Sequence, residues 1–137
     1  MSDRNQMEKT LRQAYAVRQN GKLDDVVNLF TPDARFALAG TAEVSPVVMQ
    51  VAGTSQLRSA LDTIVNTFIL LDHQILNMLI DGDRAAVHWR ARFKSPTSGQ
   101  VLETELCDLI EVKDGRIASF YEFCDTAAAA RFMSHAA

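Results

Sequence analysis

Residues 105–125, ELCDLIEVKDGRIASFYEFCD, decide how this chain is to be read. Two apolar runs rich in Leu, Ile, Val, Phe and Tyr flank Lys113-Asp114-Gly115, and Asp-Gly between strand-forming segments is a strong short-range hairpin signal. Yet Asp108 and Glu122 sit inside the two strands. An unpartnered carboxylate is costly to bury, so the face each one takes decides whether it is a surface group or part of an interior site.

Working outward, strands are expected near 72–80, 84–94, 100–112 and 116–124. They are separated by Asp81-Gly82-Asp83, by the SPTSG run at 95–99 and by the KDG turn, which is the pattern of an antiparallel meander. Upstream the periodicity becomes helical. Met7, Leu11, Ala14, Tyr15 and Val17 predict a helix over 3–20, stopped by Asn20-Gly21. Leu23, Val26, Val27 and Phe30 predict a short helix over 22–30, with a turn at Thr31-Pro32-Asp33. Leu57, Leu61, Ile64, Val65 and Phe68 predict a third helix, capped by Thr54 or Ser55 and running to about 68. Between them lie a short strand over 34–39 and a less regular segment over 40–53, punctuated by Gly40, Pro46 and Gly53, whose VVMQV run is a further strand candidate. The AAAA run at 127–130 suggests a short C-terminal helix or tail. Helices followed by strands predict an α+β domain: a curved, mostly antiparallel sheet with the three helices of the N-terminal half on its concave face.

Composition narrows the function classes. A chain of 137 residues that is 47% apolar matches one domain, 1–137, with one core. A formal charge of −3 and the absence of a basic block argue against nucleic acid as a partner. No apolar run approaches the ~20 residues of a membrane span, and MSDRNQMEKT lacks the apolar core of a signal peptide, so the expectation is a cytoplasmic protein without a membrane partner. Cys107 and Cys124 are read as free thiols. No metal-ligand spacing, phosphate loop or nucleophile elbow is found, which leaves cofactor-free acid–base chemistry or plain binding.

The register of the hairpin across SPTSG follows from its charges, because antiparallel partners keep a constant sum of residue numbers. Setting Arg92 opposite Glu103 puts Arg90 opposite Glu105 and His88 opposite Cys107 on one face. The other face then pairs Phe93 with Leu102, Ala91 with Thr104, Trp89 with Leu106 and Val87 with Asp108, which turns Asp108 inward. If Gly115 is a left-handed bulge residue, Val112 faces Arg116 and the inner face takes Ala118, Phe120 and Glu122. A turn shorter or longer by one residue would turn Tyr121 and Phe123 inward instead.

The order LDDVVNLFTPDARFAL, GTSQLRSAL, the GDRAAV strand and CDLIEVKDGRIASFYEF resembles the SnoaL-like branch of the nuclear transport factor 2-like superfamily, which includes ketosteroid isomerase, SnoaL-type polyketide cyclases, scytalone dehydratase and limonene epoxide hydrolase. The resemblance spans nearly the whole chain and implies a cone of curved sheet and three helices around a pocket. It places Asp108 where ketosteroid isomerase keeps a protonated aspartic acid in apolar surroundings to bind an oxyanion. The general-base position of that enzyme falls on Leu38. Its oxyanion tyrosine aligns with Ala14, leaving Tyr15 one residue, or ~100° of helix, away. His73 and Asn77 match a His-x-x-x-Asn pattern of scytalone dehydratase-like relatives.

Two functions are consistent with these residues. The first is a small enzyme that moves a proton next to a carbonyl, or adds or removes water, on a mostly apolar metabolite. Asp108, Glu122, Tyr15 and His73 would carry the chemistry, and Trp89, Phe120, Phe68, Leu38, Leu106 and Ala91 would line the pocket. The second is a noncatalytic domain that binds an apolar small molecule or serves as a dimeric scaffold. A pocket of ~300 Å³ or more with two convergent carboxyls would favour the enzyme, and a filled cone the scaffold. Homodimerisation is expected through the outer sheet face, where Arg90, Arg92, Glu103, Glu105, Cys107 and Leu109 mix charge with apolar surface.

Overall fold

The structure is a computed structural model and describes residues 3–41, 43 and 48–136. The elements in order are α1 (Arg4–Asn20), α2 (Leu23–Val27), β1 (Phe30–Leu38), β2 (Met49–Ala52), α3 (Thr54–Thr67), β3 (Ile69–Asp81), β4 (Arg84–Lys94), β5 (Val101–Lys113), β6 (Arg116–Phe123) and α4 (Thr126–Ala136). One six-stranded sheet runs β2-β1-β6-β5-β4-β3, antiparallel throughout except for the parallel β1–β6 pair. This is the expected α+β architecture, with α4 added to the three helices.

Local chemistry sets the helix ends. Asp3 caps α1 by accepting from the Gln6 amide at 2.8 Å, and Gly21 closes it at φ 75°, where a left-handed residue is needed. At α3 the expected cap is corrected: Thr54 is already helical, its hydroxyl donates to the Pro32 carbonyl at 2.9 Å, and Gly53 at φ 85° holds the cap position. The second helix is shorter than 22–30, because the chain enters β1 at Phe30. Thr31-Pro32-Asp33 therefore lies inside a strand instead of forming a turn. Proline is tolerated there because neither neighbour pairs with residues 31–34: β6 partners Phe30 and then Arg35, and β2 begins at Arg35. The VVMQV run does form a strand from Met49 onward, while Pro46 and Val47 lie outside the described residues.

The β4–β5 register is the expected one at every position, including Val87 opposite Asp108, Trp89 opposite Leu106 and Arg92 opposite Glu103. The β5–β6 turn is corrected. Asp114 (φ 52°) and Gly115 (φ 79°) make a two-residue loop with both φ values positive, so Lys113 faces Arg116 and Val112 faces Ile117. The pairing then slips by one: Glu111 faces Ser119, leaving Ala118 as the extra residue of a bulge. Ile117 faces inward before the bulge, and Phe120 and Glu122 face inward after it.

The core fills the concave side of the sheet. Met7, Leu11 and Tyr15 from α1 and Leu57, Leu61 and Val65 from α3 pack on Val87, Trp89, Ala91, Phe93, Leu106, Ile110 and Val112. Two aromatic groups extend it. Phe36 stacks on Phe120 at 5.5 Å with Phe30 edge-on to both, and Phe68 stacks on Phe132 of α4 at 5.2 Å.

Candidate active site

Every third or fourth residue of α1 turns toward the sheet: Leu11, Ala14, Tyr15, then Arg18. Strands β4, β5 and β6 present alternate residues to the same side. In one cross-strand row, Val87 of β4 faces Asp108 of β5, Asp108 faces Glu122 of β6, and Glu122 lies beside Leu38 of β1. Two carboxylates are thus neighbours in the interior of an otherwise apolar cone.

Asp108 is fully buried. Its Oδ2 accepts from the Tyr15 hydroxyl at 2.5 Å and from the Trp89 indole N–H at 2.8 Å, while its Oδ1 is buried without a hydrogen-bond partner. Both donors thus converge on one oxygen, which leaves the other free to carry a proton in the neutral acid. Burial raises the Asp108 pKa well above the ordinary carboxylate range, and the negative charge of Glu122 raises it further. Burial also raises Glu122, which is held back by its interaction with Asp108 and by the positive charge of Arg18. The two titrate as a pair, although Asp108 Oδ1 makes no hydrogen bond of ordinary geometry to Glu122. Tyr15 is driven far above its usual value, first by burial and then by Asp108, and remains a neutral donor.

In front of the pair lies a cavity of about 110 Å³. Its walls include Leu38, Phe68, Trp89, Leu106 and Phe120, as expected, whereas Ala91 is packed behind them. Tyr15 and Glu122 border it, and Asp108 does not: it sits behind them, touching the cavity only through its partners. Of the two carboxyls, the one that can meet a ligand is therefore Glu122. The resemblance had left an apolar Leu38 at the base position, and the structure places Glu122 directly beside Leu38 on the neighbouring strand.

His73 lies elsewhere. It faces inward beside Ala91 but outside the cavity lining, with Nδ1 at 2.5 Å from Gln19 Oε1 and its ring stacked on Tyr15 at 6.2 Å. Partial burial lowers its pKa. A register shift between Ile75 and Asn77 breaks the His-x-x-x-Asn match, sending Asn77 to the outer face, where it bonds His88 at 3.0 Å. The outer ladder is also re-partnered: Arg92 binds Asp72 at 2.7 Å in place of Glu103, and Glu105 is taken by His88 at 2.6 Å, with Arg90 at 4.0 Å.

Sequence reasoning missed Arg18, which borders the cavity with its Nη2 donating to the Phe68 carbonyl at 2.7 Å. The signal was present in the spacing, since Arg18 stands seven residues after Leu11 and three after Tyr15 on one face. Cys124 and Asp125 also border the cavity. Burial raises the Cys124 thiol to about 11, and Asp125 caps α4 by accepting from the Ala128 amide at 3.0 Å. Among the described residues, no three His, Cys, Asp or Glu side chains converge as a metal site, and no helix is long and apolar enough to cross a membrane.

The fold defines the class: an α+β domain with helices packed on the concave face of a curved, mostly antiparallel sheet. The chain belongs to the SnoaL-like domain family, whose profile matches residues 11–120. Its fold is similar to that of a candidate isomerase from Bacillus subtilis, at 15% identity and TM-score 0.85 over 98% of this chain and 97% of that one. It is also similar to a candidate SnoaL-like polyketide cyclase from Jannaschia sp., at 19% identity and TM-score 0.77 over 98% of each chain. A nuclear transport factor 2-like protein from Burkholderia pseudomallei shares 17% identity at TM-score 0.76, covering 98% of this chain and 99% of that one. At these identities the likeness establishes the fold. No functionally curated protein matches the sequence.

Proposed function

We propose that this protein is a cofactor-free acid–base enzyme that transfers a proton on a small apolar carbonyl compound, with Glu122 as the group that takes and returns the proton. One observation carries the reading: Glu122 borders an apolar cavity while its neighbour Asp108 lies fully buried behind it, where burial and the charge of Glu122 raise its pKa. A carboxylate in such surroundings is a stronger base than one in water, because burial disfavours its charged form. Asp108, fixed by Tyr15 and Trp89, stands opposite Glu122 on the neighbouring strand and in its neutral form adds no second charge beside it.

The test is solvent exchange. Small ring ketones and conjugated enones incubated with the protein in deuterium oxide are followed by proton NMR. Saturable incorporation of deuterium next to the carbonyl, above the buffer rate, is the expected result. A second reading, a noncatalytic binding domain, is favoured by the size of the cavity: about 110 Å³ is well below the ~300 Å³ at which ordinary ligand pockets begin. Saturable binding of the same compounds with neither exchange nor migration of the enone double bond would establish it in place of the enzyme.

Association as a homodimer through the outer sheet face belongs to the same proposal. Leu79, Ala86, Leu109 and Tyr121 are consecutive cross-strand partners, so they form a continuous row across four strands. Leu79 is 70% exposed, Leu109 46% and Tyr121 41%. A second copy of the chain, turned by a two-fold axis, presents the same row flanked by the same mixed charges. Sedimentation at micromolar concentration is expected to give about twice 15.2 kDa, and Leu109→Glu to give the monomer. A wild-type monomer would refute the pairing.

A further inference from the structure

Among the described residues one cation borders the cavity, and its donors are not used up. Arg18 borders the cavity, with its Cζ 5.9 Å from the Phe93 ring centre. Nη2 is bound to the Phe68 carbonyl, whereas Nε and Nη1 make no hydrogen bond among the described residues. Arg18 and Glu122 border the same space with opposite charges and feel one another, yet no N···O contact within 4.0 Å joins them. The two charges face a common gap.

The other donors are committed or weak. The Tyr15 hydroxyl and the Trp89 indole N–H, which could otherwise hold an oxyanion, are both spent on Asp108 Oδ2. Thr104 and Cys124 add only a neutral hydroxyl and a thiol.

We propose that Arg18 is the oxyanion-binding catalytic residue of this site, receiving the carbonyl oxygen of the substrate on Nε and Nη1 while the adjacent carbon faces Glu122. The inference rests on the acid–base reading of Glu122 and gives the substrate class more closely: a small enolisable ketone or enone with no charge of its own. In the forward step the C–H bond breaks, and its proton goes to the Glu122 carboxylate. The electron pair forms the C=C bond, and the carbonyl π pair withdraws to oxygen beside Arg18. Glu122 then returns the proton to the same carbon or to the conjugated one, and the charge leaves the oxygen. No co-reactant is required. The net charge of the cavity is the same before and after the transfer, since a Glu122–Arg18 pair becomes an enolate–Arg18 pair. Fixed donors aimed at the place where charge develops are the large term in such reactions. Burial lowers Arg18 only to about 10, so the cation persists at neutral pH. Asp125 is the other carboxylate at the cavity and is engaged in capping α4.

The test separates this inference from the reading beneath it. Glu122→Gln mimics the protonated base, and para-nitrophenol mimics the enolate, its two protonation states being distinguishable by absorbance. In the Glu122→Gln background the bound probe is expected as the phenolate. Adding Arg18→Met should weaken phenolate binding by at least about tenfold while cyclohexanone binding changes by less than about twofold. In the wild-type background, Arg18→Met should lower kcat for ketone exchange by ~10²–10³-fold with little change in KM. If Arg18→Met does not fold, Arg18→Gln keeps an N–H for the Phe68 carbonyl and removes only the charge. Equal phenolate capture with and without the Arg18 charge overturns the inference, as does Glu122-dependent exchange that is indifferent to Arg18. Arg18-dependent phenolate capture by a protein that exchanges no ketone upholds the oxyanion site and removes the acid–base reading instead.

Discussion

Glu122→Gln is expected to lower the rate of carbonyl-adjacent proton exchange by ~10²–10⁴-fold while the protein stays folded, which is the usual contribution of a positioned general base. Glutamine fills the same space beside Leu38 and can still interact with Asp108, but it cannot accept and return a proton. The fold has little reason to suffer, because the substitution removes a charge that burial disfavours. The pH profile offers an independent check. The active form is the carboxylate, and its pKa is raised by burial, so kcat/KM should rise with pH through a value above that of free glutamate. A variant with wild-type exchange, or a profile already flat at the pH where free glutamate ionises, would remove Glu122 from the mechanism.

Asp108→Asn is expected to make the protein more stable at neutral pH, and the margin should grow as pH rises. The native pKa of Asp108 is raised, whereas in the unfolded chain it returns to ~3.9. Between those two values the native state holds a proton that the unfolded state has released, so raising the pH favours unfolding by about 1.4 kcal/mol per unit from this group alone. Asparagine has no such proton. Its carbonyl oxygen can still accept from Tyr15 and Trp89, and its amide can donate where Oδ1 now has no partner. Denaturant titrations of both proteins between pH 4 and pH 8 measure the difference, which should be near zero at the acid end. Parallel curves would show that Asp108 is ionised in the native protein. Asp108→Ala is the contrasting case, because it strands a buried hydroxyl and a buried indole N–H at ~1–3 kcal/mol each.

Much of this site was legible in residues 84–112, where one register satisfies both a charge pattern and an apolar pattern, and β4 and β5 adopt it throughout. Asp108 turned inward for that reason, and Tyr15 proved to be its partner. What the pattern could not show was depth: alternation separates two faces of a strand but does not say which inward residue reaches the cavity and which lies behind another side chain. Irregularities were equally invisible. The bulge at Ala118 and the register shift before Asn77 leave no mark in composition, and the strand through Pro32 was hidden by a residue that ordinarily signals a turn. Arg18 was overlooked for a different reason. A charged residue near a helix end reads as solvated, and only the tertiary packing brings Arg18 against the Phe93 ring and the Phe68 carbonyl at the cavity.

The extra residue at Ala118 has a consequence for how this chain can change over time. Upstream of it β6 runs in one phase, and downstream in the other. Were Ala118 instead to take a regular place in the ladder, the alternation begun at Ile117 would carry Ser119, Tyr121 and Phe123 into the cone and turn Glu122 out to the opposite surface. One position therefore sets the frame for two features at once, the carboxylate in the cavity and the aromatic residues of the outer face. Deleting Ala118 would only make the ladder regular, since Ser119 would follow Ile117 directly and Glu122 would still face Asp108. One residue inserted between Phe120 and Tyr121 with the upstream pairing kept would instead turn two large rings into the cavity and put a negative charge into the row of Leu109 and Leu79. Neither feature can be lost by such a step while the other is kept. A relative that lacks the bulge residue should therefore keep both faces, and one with a residue added beyond it should be expected to differ in both.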